Sequence, residues 1–391
     1  MPTKFKQIPP PDDRRSLSTW SILFVAGIAF ALVMGQWTLL VAIVGLAFLI
    51  TIHEFGHFIA AKAFGMRVEK FYVGFPPAAW KKPRGETEYG VGIIPLGGFC
   101  KISGMTPEEE VPADTGDRVY YKAPIWKRNL TIFAGPFMNF VAAIVILFAF
   151  LMIQGTATPS LKLDEVVAGT PAAKAGLTAG DTVVGADGQR WDEWSQASAY
   201  FRDNPGKTIE LTYVPGGAGG AGVSGTASEK TVTVTLDKNP SAPSQGYLGV
   251  RAGIDTEHPG PLRAAWLSLV GLKDVTWGVF YGMYLLASGA IDPTGPEGAV
   301  GPVGIIDVSG EAVRQGWYPI LLAFLSANLA IINLLPILPF DGGHIFFNVV
   351  EKVRGRRMNP KALERIVAFG VTLLILLFVL LTYNDLQRIF G

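Results

Sequence analysis

Apolar residues in this chain gather into long runs bounded by short basic segments. Five runs have the length of a bilayer crossing, at about Trp20–Met34, Trp37–Ala61, Leu130–Ile153, Trp317–Phe340 and Ile366–Tyr383. Only Gly35-Gln36 separates the first from the second, so either a tight hairpin or one long broken helix lies there. Lysine and arginine cluster before the first run (Lys4, Lys6, Arg14, Arg15), after the second (Lys62, Arg67, Lys70, Lys81, Lys82, Arg84) and between the last two (Lys352, Arg354, Arg356, Arg357, Lys361), which predicts that all three clusters are cytoplasmic. The stretch Ala264–Leu286 is also apolar, but Lys273-Asp274 interrupts it, and a crossing there would invert the final basic loop; it is expected to lie on the membrane as an amphipathic helix. Between about Thr156 and Ala252 the pattern changes to short β-rich runs, such as Thr208–Val214 and Thr231–Leu236, separated by turn residues, as in one small soluble domain. Gly216–Gly222 reads as a loop, and Thr106–Arg118, acidic with two prolines, as a cytoplasmic connection.

Composition agrees with that pattern: of 391 residues, 49% are hydrophobic and 17% charged, which excludes an ordinary soluble domain. No basic stripe with interleaved aromatics suggests nucleic acid. Cys100 is the only cysteine, so neither an internal disulfide nor a cysteine-rich metal site is available.

Chemistry enters inside the second run, as His53-Glu54-Phe55-Gly56-His57. Residues four apart share one helix face, so two imidazoles can meet one metal ion with Glu54 beside them as a general base for metal-assisted hydrolysis. Ionisable groups at membrane depth each cost roughly 2.5–3.5 kcal/mol on insertion scales, so their presence there points to a site. A third ligand is expected from the fourth run, which reads Asn333-Leu-Leu-Pro336-Ile-Leu-Pro339-Phe-Asp341-Gly342-Gly343-His344. The prolines and the Gly-Gly pair should break a helix here, which lipid tolerates only where the backbone is buried or wetted. Asp341 is the candidate and His344 its rival; both inward-going runs end at similar depth.

An HExxH helix followed by an Asn-x-x-Pro…Asp-Gly segment resembles the site-2 protease family of intramembrane metalloproteases. Tyr89–Met105, with Ile94-Pro95-Leu96-Gly97-Gly98-Phe99, resembles the family's re-entrant β-hairpin; Gly135-Pro136-Phe137-Met138-Asn139 its second core helix; and Gly301-Pro302-Val303-Gly304-Ile305 the segment before its third. Ala168-Gly169-Thr170-Pro171-Ala172, Ala175-Gly176-Leu177 and Gly180-Asp181 resemble a PDZ domain, placed as in the bacterial regulator-of-sigma-E protease branch but single rather than tandem, and Gly246–Val250 resembles its carboxylate-binding loop. Phe340 stands where the family's motif has leucine.

The resemblance implies an α-helical polytopic membrane protein with four core spans, an extra N-terminal span, a re-entrant β-hairpin and an inserted extracytoplasmic α+β PDZ domain. Its divisions are a cytoplasmic tail (1–19), an N-terminal membrane region (20–154), the PDZ domain (155–255), a linker with the interfacial helix (256–316) and a C-terminal membrane region (317–391). It implies Zn²⁺ held by His53, His57 and Asp341, with Glu54 catalytic. Asn333 would hold an unwound substrate strand, and Gly97, Gly98 and Phe99 would offer it a strand edge. Cys100 has no assigned role. The expected substrates are single-span membrane proteins, such as anti-sigma factors and remnant signal peptides; the PDZ domain would either dock an exposed C-terminal tail or exclude substrates whose external domain remains bulky. The expected setting is a bacterial plasma membrane, with the active site towards the cytoplasm. A PDZ-bearing adaptor without catalysis and a metal transporter are the competing readings; neither needs Glu54.

Overall fold

In the computed structural model, the structure describes residues 37–105, 109–216, 228–240, 242–292, 300–356 and 358–390. The first apolar run and the N-terminal tail therefore lie outside the described residues. The chain forms two compact units, one of residues 1–150 and 262–391, the other Leu151–Pro261.

In the first unit, α1 (Trp37–Ala63) carries the HExxH sequence, and a two-stranded ribbon follows, β1 (Val68–Arg84) and β2 (Thr87–Ile102). The hairpin expected at 89–105 is thus only the second half of a longer element. The ribbon doubles back on itself, so that Tyr72 opposes both Phe99 and Gly90. That folding places the first part of β1 between the two ends of β2 and leaves the 98–102 run with one edge turned away from β1. Next comes α2 (Ile125–Gln154), with Pro136 inside it.

Helices α5 (Pro261–Ala287), α6 (Pro302–Gln315), α7 (Tyr318–Asn333), α8 (Asp341–Arg354) and α9 (Pro360–Phe390) complete this unit. Three helices among the described residues are long and apolar enough to cross a membrane: α1, α2 and the Lys361–Arg388 part of α9. The fourth expected run is not one continuous helix. It stops at Asn333 after 16 residues, roughly 24 Å, and resumes at Asp341. Pro336 and Pro339 account for the gap, because neither can donate to a helical ladder. The Gly-Gly pair, expected to help break the helix, instead lies inside the first turn of α8. A Cβ on Gly342 would collide with the Leu334 carbonyl, and one on Gly343 would stand 2.6 Å from Leu338 N, so these glycines admit the returning chain. The helix covering Ala264–Leu286 packs by Leu272 and Val275 against Ala143 of α2 and Ala323 and Ala327 of α7.

The second unit is built on an antiparallel sheet in the order β10 (Val250–Glu257), β3 (Thr156–Val166), β4 (Thr182–Ala186), β6 (Thr208–Val214), β7 (Lys230–Thr235), with β5 (Gln189–Arg190) paired to β4. Helices α3 (Pro171–Lys174) and α4 (Trp194–Asp203) and a small ribbon of β8 (Asp237–Asn239) and β9 (Ala242–Tyr247) join it. Leu163, Val183, Ile209, Leu211, Phe201, Leu236 and Leu248 form its buried core. The alternation of Thr208–Val214 and Thr231–Leu236 corresponds to one side on that core and one in water.

Asp187 closes the turn between β4 and β5 at φ 50°. Its carboxylate accepts Glu210 N–H at 2.7 Å, Lys207 Nζ at 2.9 Å and the Tyr200 hydroxyl at 2.7 Å. Those donors, the backbone one first, hold its pKa down from the ordinary 3.8 to about 2. A depressed folded pKa stabilises the fold above pH 3.8, and the stabilisation is lost as pH falls towards 2. Asp187→Asn, which tolerates the same backbone angle, is expected to lower the thermal midpoint of the isolated 151–261 unit at pH 7. The difference from wild type should vanish near pH 2.

Candidate metal centre

Two helices come together closely enough to build a site because glycines face each other's helix. A Cβ on Gly56 of α1 would collide with the Ala134 carbonyl of α2. A Cβ on Gly135 of α2 would overlap His57 Nε2 and stand 2.9 Å from His53 Nε2. Small residues at a buried helix contact let backbones approach in lipid. Here they set the imidazoles of α1 directly against the backbone of α2.

His53, His57 and Asp341 each point one ligand atom at a common centre. The two Nε2 atoms are 3.2 Å apart, and Asp341 Oδ2 is 3.0 Å from His53 Nε2 and 3.3 Å from His57 Nε2. Tetrahedral ligands at about 2.0–2.1 Å from zinc stand about 3.3 Å from one another, so the spacing suits such an ion. Asp341 Oδ2 is buried and receives no hydrogen bond of acceptable geometry, an orphaned charge that a cation would satisfy. Asp341 is the first residue of α8, delivered by the Pro336–Pro339 break.

The outer nitrogens fix which tautomer each histidine adopts. His57 Nδ1 lies 2.9 Å from the Thr131 carbonyl, so Nδ1–H donates there and Nε2 keeps its lone pair. At His53, the Asn139 amide nitrogen lies 3.4 Å from Nδ1, while Asn139 Oδ1 is buried without a partner. A half-turn of the amide resolves both, with Oδ1 accepting from His53 Nδ1–H and Nε2 again free for a metal. Ser326 of α7 donates to the Asn139 carbonyl at 2.8 Å, tying a third helix to this point. Thr131, Gly135 and Asn139 recur every fourth residue, and within the Leu130–Ile153 run Thr131 and Asn139 are the polar side chains. That spacing was the available sequence signal for Thr131 and Asn139, whose roles were not anticipated.

Glu54 Oε2 accepts the Cys100 backbone N–H at 3.1 Å. A Cβ on Gly98 would stand 3.1 Å from Glu54 Cγ and 3.0 Å from Thr51 Cα, and Gly97, at φ 152°, meets Ile50. The 98–102 run therefore lies against α1 with an edge turned to Glu54, and residue 100 contributes its backbone rather than its thiol. Phe99 stacks edge-on against Tyr72 at 5.9 Å. Asn333 is not in this cluster by contact; its amide donates to Leu329 O in its own helix at 3.0 Å. His344, the rival ligand, is outside the set whose ligand atoms converge.

Substitutions on the facing helix should weaken the centre without replacing any of the three converging side chains. Asn139→Ala is expected to lower divalent-metal affinity about 10–100-fold, and Gly135→Ala to lower it further. Both would be read as metal retained against a competing chelator, with unchanged helix content.

Comparison with known proteins leads the same way. Residues 41–377 match Peptidase family M50. Zinc metalloprotease Rip1 of Mycobacterium tuberculosis is 33% identical over 389 aligned positions, covering 86% of this chain and 91% of the relative. The regulator of sigma-W protease RasP of Bacillus subtilis is 26% identical, covering 88% of this chain and 96% of its own. Zinc metalloprotease RasP of Oceanobacillus iheyensis is 28% identical, covering 88% and 97%. With its two histidines, its aspartate and this extent of match, the chain belongs to peptidase family M50, the site-2 proteases.

Proposed function

We propose that His53, His57 and Asp341 hold the zinc of an intramembrane protease and that Glu54 is its general base. The observation that carries this reading is the convergence of three ligand atoms at 3.0–3.3 Å within a buried, helix-lined site. When bound there, zinc supplies a Lewis acid for a peptide carbonyl and acidifies water. Glu54 takes the proton of the attacking water on its carboxylate and returns it to the departing amine. Thr131 and Asn139 keep each imidazole in the ligating tautomer.

A substrate helix hides its peptide bonds in its own hydrogen bonds, so the cleaved segment must first become extended. The edge of Gly97, Gly98 and Phe99 beside Glu54 is suited to receive it as an added strand, replacing the helical bonds it loses. Asn333, at the end of α7, would steady the same strand once its amide leaves Leu329. Substrates are then single-span membrane proteins. The name of the B. subtilis relative, a sigma-W regulator, favours anti-sigma factors among them, and remnant signal peptides fit the same chemistry.

The Leu151–Pro261 unit is read as a PDZ domain. In support, β10 is an edge strand and is preceded by the Tyr247–Val250 turn, where Ala172 N–H donates to the Leu248 carbonyl at 3.0 Å. A protein tail could pair with the open side of β10, or the domain could exclude bulky substrates. The basic residues Lys62, Arg67 and Arg128 near the His57 end of the helices favour a cytoplasmic-side active site in a bacterial plasma membrane, with the PDZ domain outside.

Glu54→Gln is expected to lower cleavage of a single-span reporter by roughly 10²–10⁴-fold while retaining zinc. Undiminished cleavage by that variant would remove the general base from the mechanism. Placing a helix-breaking proline or glycine near the scissile bond of the reporter should raise the rate; a slower rate would count against strand addition.

A further inference from the structure

Helix α8 has two faces with different occupations. At about 100° per residue, Asp341, His344, Asn348 and Glu351 fall on one side. That side is engaged: Asp341 faces the histidines, and Glu351 receives a two-pronged contact from buried Arg128 of α2, at 2.9 and 3.2 Å. Asn348 accepts from Arg128 at 3.2 Å and donates to Asn129 at 2.8 Å and to the Tyr120 hydroxyl at 3.1 Å. The opposite side carries Phe346, Val349 and Val353, exposed to 47%, 45% and 81%. Lys352 and Arg354 flank this apolar stripe, and Arg356, Lys361 and Arg365 follow it, all exposed. Of the two acidic side chains in this stretch, Glu351 is occupied by Arg128 and only Glu364 is exposed.

An apolar stripe edged by cations that can extend past it is the pattern of a helix lying in the headgroup layer. Excess positive charge selects the anionic lipid among possible coverings. We propose that α8 is a membrane-surface helix seated by anionic headgroups, and that the lipid thereby governs how firmly Asp341 is presented to His53 and His57. Because α8 is one short helix, seating its outer face restrains the first residue of the same rod. The Arg128–Glu351 contact fixes the inner face, and the lipid fixes the outer one. The second half of the inference rests on Asp341 being a zinc ligand, whereas the first half does not.

The test uses the full chain reconstituted into vesicles of phosphatidylcholine alone or of phosphatidylcholine with phosphatidylglycerol. A spin label at Val353→Cys, in a Cys100→Ser background, reports depth by collision with oxygen or with a water-soluble nickel chelate. Zinc affinity is measured in parallel by chelator competition on the protein carrying its native Val353. The expected result is a deeper label with phosphatidylglycerol and zinc held roughly fivefold or more tightly, the lower end of ordinary coupling between two sites. Both responses should be lost in Lys352→Gln/Arg354→Gln/Arg356→Gln and kept when Arg354 and Arg356 are changed to lysine. A label in water in both lipids, or a depth that depends on protein concentration rather than lipid charge, overturns the seating and in the latter case identifies a second copy as the cover. A label that deepens while zinc affinity stays constant overturns the coupling alone. If Asp341→Ala leaves zinc affinity unchanged, it is the assignment of the ligand that fails.

Discussion

Everything at this centre depends on how closely α1 and α2 approach at Gly56 and Gly135. Two imidazoles on one helix can be aimed at a common point by spacing alone, but in lipid their outer nitrogens also need partners, since unsatisfied polar groups there cost several kcal/mol each. The glycine contact supplies those partners by bringing the Thr131 carbonyl and the Asn139 amide against the histidines. A single methyl group at position 135 would intrude on the Nε2 atoms of both histidines. Packing, tautomer and ligand geometry are therefore one constraint.

The third side chain of the cluster, Asp341, arrives by a different route. Pro336 and Pro339 end α7 before it has crossed a full bilayer thickness, and the backbone groups freed by the break are met locally: Leu334 and Leu335 donate back into α7, Ile337 N–H to Leu335 O, and Phe340 N–H to Ile337 O at 3.0 Å. Gly342 and Gly343 then let the new helix begin directly against that segment. An irregular stretch that would be costly in hydrocarbon becomes the means of placing Asp341 at the head of a helix beside α1. The 98–102 run meets Glu54 through the Cys100 backbone N–H, and Gly98 beside it has no side chain to interpose against Thr51 and Glu54.

Much of this was legible in the sequence where chemistry is carried by consecutive or regularly spaced residues. The HExxH spacing within an apolar run picked out His53, Glu54 and His57, and the Pro-Pro-Asp-Gly stretch picked out Asp341, because few structures tolerate such residues at that depth; the structure brings the two histidines and the aspartate together. The Gly-Gly pair was misread as a breaker since sequence shows glycine's freedom but not the neighbour that requires it. The ribbon's true extent, from Val68, was hidden because aromatic and basic residues on a doubled-back ribbon show no simple alternation. The Arg128–Glu351–Asn348 contacts join positions more than 200 residues apart, and no local pattern announces them. The prolines of the Trp317–Phe340 run announced a break at its cytoplasmic end, but not that the chain resumes at once as a new helix headed by Asp341.

The most direct test of the account is zinc-edge X-ray absorption on the purified full chain, compared with Asp341→Ala and Glu54→Gln. The account predicts two imidazole nitrogens and a carboxylate oxygen at about 2.0–2.2 Å, an unchanged shell in Glu54→Gln, and loss of the carboxylate oxygen in Asp341→Ala. A sulfur neighbour, or a ligand shell indifferent to Asp341, would contradict it.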